Sequence, residues 1–151
     1  MPPRPRLVSS TPLFVVSDLA RSLEFYGRLG FHTQRTWGEP PCFAMPRRDG
    51  LELMLSLAEK PELVRPNGPQ GVWDVYLRTP DLAAEKAALV QAGVAIARQP
   101  EATVYDMLEM EVLDPDGYRI CYGQESRTSS GPLRGPTEMR GEVAPTPSPD
   151  K

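Results

Sequence analysis

Two stretches of this chain are written on one plan, and that restricts the fold more than any other feature. Residues 15–31 read VVSDLARSLEFYGRLGF and residues 77–94 read LRTPDLAAEKAALVQAGV, so that Asp18-Leu19 is answered by Asp81-Leu82 and Gly30 by Gly93. In each copy a β-type run ends at an aspartate, an amphipathic segment follows, and a glycine precedes a new extended run. An aspartate there accepts hydrogen bonds from the unpaired amides of a first helical turn, and a glycine takes the left-handed position that closes the last turn. Leu19, Leu23, Phe25, Tyr26 and Leu29 in one copy, and Leu82, Ala87, Leu89 and Val90 in the other, recur near helical spacing. Each helix is predicted to lay that face on a sheet.

The sheets come from the segments around the helices. Residues 11–17 open the first half, and residues 32–37, 42–47 and 51–57 are predicted to complete it. The last of these, LELMLSL, alternates strictly, with Leu51, Leu53, Leu55 and Leu57 toward the helix and Glu52, Met54 and Ser56 away from it. Residues 72–79 open the second half, followed by 94–98, 103–113 and 118–123. The turns RRDG and DPDG precede the two closing strands, DPDG with the proline and glycine a tight turn prefers. The expected organisation is a flexible arm at 1–10, a first module at 11–57, a linker at 58–70, a second module at 71–124 and a disordered tail rich in proline, serine and glycine at 125–151. The fold class is therefore α+β: two βαβββ modules forming a curved mixed sheet around a cleft, with helices on the outer face.

Composition narrows the partners. A chain of 151 residues with 40% apolar and 25% charged side chains can bury one substantial core. A formal charge of -3, with no basic run interleaved with aromatics, argues against nucleic acid. The absence of a long apolar run argues against a membrane. Cys42 and Cys121 have neither metal-type spacing nor the number for a disulfide framework, which points to a reduced, cytoplasmic setting.

The duplicated stretch, together with the closing VLDPDGYRICYGQ, resembles the vicinal oxygen chelate superfamily of glyoxalases, extradiol dioxygenases and bleomycin-resistance proteins, over residues 11–124. In the enzymes of that family, two side chains per half hold a divalent metal. The resemblance places those positions at Thr11, Met54, Asp74 and Cys121, a neutral hydroxyl, a thioether and only two potential anions. Lewis-acid chemistry needs several anionic or imidazole donors. Glu52 is the alternative donor on Met54's strand face, and the single histidine, His32, follows the first helix where the family supplies no ligand. No metal and no cofactor are expected.

Function then rests on the cleft lining. With Asp74 on the cleft side, as the resemblance implies, parity puts Tyr76 and Arg78 on the same side of the second module's opening strand. In the run 103–113, Thr103, Tyr105, Met107, Glu109 and Glu111 are set toward the cleft. Trp37 and Phe43 add an apolar wall, and Glu52, Met54 and Cys121 complete the expected ligand-binding set. Aromatic rings with carboxylates suit a planar cation. A small-molecule binding protein that sequesters an antibiotic or similar ligand is the leading expectation, as the metal-free bleomycin-resistance-like branch implies. The alternative is a glyoxalase-like lyase or isomerase working through an atypical metal site or through Asp74 or Glu109 as a base. Because a βαβββ module leaves one sheet face bare, a homodimer is expected.

Overall fold

The computed structural model describes residues 1–126; the expectation of a disordered tail lies outside the described residues from 127 onward. The first half contains β1 (Leu13–Val16), α1 (Leu19–Arg28), β2 (Thr36–Trp37), β3 (Phe43–Ala44), β4 (Arg47–Arg48), β5 (Leu51–Glu52) and β6 (Met54–Leu57). The second contains β7 (Val75–Arg78), α2 (Leu82–Gln91), β8 (Arg98–Ala102), β9 (Met107–Leu113) and β10 (Arg119–Glu125). Two single-turn 3-10 helices, Pro61–Leu63 and Gly68–Gln70, lie in the connection between them.

Duplication is visible in the topology. The strand orders are β1-β6-β3-β2 and β7-β10-β9-β8, and in each sheet the opening strand pairs in parallel with the closing one. Both helices begin as the aspartates dictate. Asp18 accepts from the Arg21 amide at 3.0 Å and Asp81 from the Ala84 amide at 2.9 Å. Each helix lies on one face of its own sheet, and among the described residues the other face carries no α-helix. Residues from the helix-bearing faces of both modules form one core that includes Phe14, Leu55, Leu82, Leu89, Met110 and Ile120.

Polar bonds tie the modules together through that core. Tyr26 donates to Asp114 at 2.9 Å, and the Tyr118 hydroxyl donates to the Val15 carbonyl at 2.7 Å while its ring stacks on Phe14 at 4.6 Å. Arg48 spans the halves, donating to both Glu85 oxygens at 2.6 and 2.8 Å and to the Leu29 carbonyl at 2.8 Å. Glu85, rather than Ala87 or Val90, therefore occupies the buried stripe of α2 with Leu82 and Leu89, because its charge is matched across the module boundary.

Several strands differ from their sequence expectation. Leu51 is 49% exposed, because the expected strand 51–57 breaks at Leu53. The Leu53 amide turns to Pro46, and Leu51 belongs to a separate two-stranded β4-β5 ribbon. Residues 103–106 form a tight turn in which Asp106 has a φ of 59°, so the expected strand 103–113 starts only at Met107. No helix among the described residues is long and apolar enough to cross a membrane.

Candidate functional site

The helix-free face of the first module is apolar. Cross-strand partners share a face, and the register pairs Trp37 with Phe43, Phe43 with Ser56, Ser56 with Val15, and Met54 with Leu13. The rings of Trp37 and Phe43 meet edge-on at 5.6 Å, and the Arg35 guanidinium lies 4.4 Å from the Trp37 ring centre. Leu13, 51% exposed, continues the surface.

The helix-free face of the second module is built differently. Two glutamates on alternate positions of β9, Glu109 and Glu111, are 0% and 4% exposed and sit under a roof of donors. Tyr76 donates to one Glu109 oxygen at 2.9 Å, and Tyr105 donates to the other at 2.8 Å. Arg98 reaches that second oxygen at 3.3 Å. Trp73 donates to Glu111 at 2.8 Å, Arg119 binds the opposite oxygen of Glu111, and Arg98 Nε lies 3.4 Å from the first. Burial alone raises a carboxyl pKa. At Glu111 the bonds from Trp73 and Arg119 and the charge of Arg98 outweigh it, leaving the group below its ordinary value. Burial first, then the bonds to Glu109, push the Tyr76 and Tyr105 hydroxyls above theirs.

Gly123 makes this arrangement feasible. A Cβ at that position would fall 1.9 Å from the Tyr76 oxygen and 2.4 Å from its Cζ. The phenol end of Tyr76 takes the space a side chain would need and thereby reaches Glu109, while its ring meets Trp73 at 5.0 Å.

The expected site residues separate into three groups. Trp37, Phe43 and Met54 lie on the first face; Tyr76, Arg78, Tyr105, Glu109 and Cys121 belong to the second. Tyr105 gets there from the turn before β9 rather than from the strand. Among the described residues no hydrogen bond or ring contact joins the two groups. Asp74 and Glu52 belong to neither, which corrects their placement. Asp74 spends one oxygen on the Asn67 amide and the other on the Arg119 amide, both at 2.8 Å, fastening the connection between modules to β10. Glu52 lies in the β4-β5 ribbon beyond the strand break, held by Arg47, and so does not share Met54's face.

A metal does not fit the four positions that the resemblance points to. Thr11 and Met54 bring neutral, weak donors, and both Asp74 oxygens are committed to amides. Cys121 is fully buried between the glutamates, and burial, Glu109 and Glu111 together push its thiol pKa up, away from the thiolate a metal needs. Among the described residues no group of three His, Cys, Asp or Glu side chains is arranged to hold a metal ion. His32 is exposed, and its backbone bridges to Arg47.

Trp73, Arg98 and Arg119 were missed by sequence reasoning. Arg119 had a signal, because it stands two residues before Cys121 and shares its strand face. Trp73 had none, because the bend at Asp74 resets the alternation, and a register shift between Arg98 and Glu101 hides Arg98.

Comparison with known proteins agrees with this architecture. Residues 9–122 match the family model of the glyoxalase/bleomycin resistance protein/dioxygenase superfamily. A bleomycin-binding protein, solved in complex with bleomycin, is 22% identical with a TM-score of 0.61, covering 78% of this chain and 98% of its own. A bleomycin resistance determinant encoded on the transposon Tn5 is 21% identical with a TM-score of 0.64, covering 80% and 100%. A glyoxalase/bleomycin resistance protein from Catenulispora acidiphila is 23% identical with a TM-score of 0.60, covering 78% and 98%. At such identities the likeness establishes the fold. No curated protein matches the sequence.

Proposed function

Because the chain belongs to the glyoxalase/bleomycin resistance protein/dioxygenase superfamily, we propose that it is a small-molecule-binding protein that holds a flat, aromatic ligand without a metal ion. Fold alone does not decide chemistry; the fate of the donor positions carries this reading. Asp74 is a backbone clasp and Cys121 a buried thiol with a raised pKa. In their place the helix-free faces offer rings, Trp37 and Phe43 on one and Trp73, Tyr76 and Tyr105 on the other. Stacking on such rings is worth about 0.5–1.5 kcal/mol per contact beyond buried area. The similar proteins described as bleomycin-binding and as a bleomycin resistance determinant support sequestration over turnover.

Acid–base catalysis has little to work with. Neither Asp74 oxygen is free, and Glu109 is fully buried beneath Tyr76, Tyr105 and Arg98. Among the described residues no hydrogen bond or ring contact joins the two ring-bearing faces, and a homodimer that sets the first face of one copy opposite the second face of its partner completes the site. Each face carries one of the two tryptophans. Titration of chelator-treated protein with bleomycin and a panel of planar aromatics, read by tryptophan fluorescence, tests the proposal. Saturable quenching at one ligand per chain, lost in Trp73→Phe or Trp37→Phe and with the ligand recovered unchanged, is the expected result. Chemical conversion of the ligand, or binding that needs added metal, overturns it.

A further inference from the structure

On the sequence alone, carboxylates beside aromatics favour a cationic ligand. The structure changes the sign of that preference. Both glutamates of the second face are buried and already accept: Glu109 from Tyr76, Tyr105 and Arg98, and Glu111 from Trp73 and Arg119. A carboxylate has about four lone-pair sites and a guanidinium five N–H donors. Both oxygens of each glutamate are thus engaged while guanidinium donors remain. Among the described residues, Nη1 of Arg98 and Nη2 of Arg119 bond to nothing, and these side chains are 39% and 25% exposed. Both arginines flank Glu111, Arg98 beside the oxygen that accepts from Trp73 and Arg119 on the opposite one. Through Glu111 the two arginines are thereby tied to Trp73, whose ring meets that of Tyr76 at 5.0 Å and 54°.

Building on the ligand-binding reading above, we infer that this face selects a planar aromatic ligand carrying an anionic or carbonyl acceptor group, with its ring on Trp73 and Tyr76 and its acceptor on Arg98 and Arg119. A planar cation would meet guanidinium groups where it needs carboxylates.

Three probes with one ring system and different charge test this by calorimetry: naphthoate, naphthylmethanol and naphthylmethylammonium. Naphthoate is expected to bind roughly tenfold or more tightly than the cation, the ratio one charge-assisted hydrogen bond provides. Arg119→Gln and Arg98→Gln should abolish that preference. Circular dichroism checks their fold, and Arg119→Lys, which keeps the charge but loses the fork, should retain part of it. If the cation binds best, the inference falls while the ligand-binding proposal stands. If naphthoate preference survives both glutamine variants, the assignment to these arginines falls. If no probe binds at millimolar concentration, the binding reading fails and this inference with it.

Discussion

Gly123→Ala adds one methyl group to a closing strand, yet it should damage the second face. In most strands the change is mildly favourable, by about 0.4–1 kcal/mol, because alanine has fewer unfolded conformations to lose. Here the new Cβ would fall 1.9 Å from the Tyr76 oxygen, 2.4 Å from Cζ and 2.7 Å from Cε1, so the ring must swing away. Its 2.9 Å bond to the buried Glu109 then breaks. A hydrogen bond to a charged group contributes about 1.5–3 kcal/mol, and the 5.0 Å contact with Trp73 adds about 0.5–1.5 kcal/mol. After the backbone gain, the net loss is about 1–4 kcal/mol. In urea unfolding it should appear as a lower midpoint at unchanged slope. With Tyr76→Ala already in place there is no ring to displace, so adding Gly123→Ala should cost nothing further. A Gly123→Ala protein as stable as the parent, or two additive changes, would refute this packing.

The module boundary and the helix caps give further tests. Arg48→Met leaves Glu85 buried without its partner, a loss of roughly 3–5 kcal/mol for a buried pair that screening at the 30% exposed Arg48 side chain reduces to about 2–3 kcal/mol; Arg48→Met with Glu85→Met should recover much of it in thermal melts. Asp18→Ala and Asp81→Ala each remove a cap bond and should cost about 1 kcal/mol, measured by urea unfolding. All five tyrosines, Tyr26, Tyr76, Tyr105, Tyr118 and Tyr122, have hydroxyl pKa values raised above normal, chiefly by burial. The stability they confer is fully present below the unfolded tyrosine value of about 10 and is lost as pH rises through the raised native values. Phenolate absorbance should therefore rise in one cooperative step with unfolding, and gradual ionisation of folded protein would contradict it.

How much of this was legible depended on whether backbone alternation survived. In β9 it did, and parity alone set Glu109 and Glu111 opposite Met110 and Val112. The caps were legible too, because the Asp and Gly at each helix end act through their neighbours only. Asp74 was not: its oxygens serve amides seven and 45 positions away, a contact that exists only once β7 has paired with β10. Sequence gave it the freedom of a cleft carboxylate, and the bend that removes this freedom also hid Trp73. Glu85 was invisible as a core residue for a similar reason, since its partner Arg48 lies in the other half. Long-range polar pairing, rather than apolar patterning, is what the letters concealed.

The claim that matters most is that the site works without a metal. Protein expressed with manganese, iron, cobalt, nickel and zinc supplied, then gel-filtered, can be assayed for metal per chain. Content far below one per chain, unaltered by Asp74→Ala or Cys121→Ala, is the result a metal-free binding site predicts. A near-stoichiometric metal lost in both variants would contradict it.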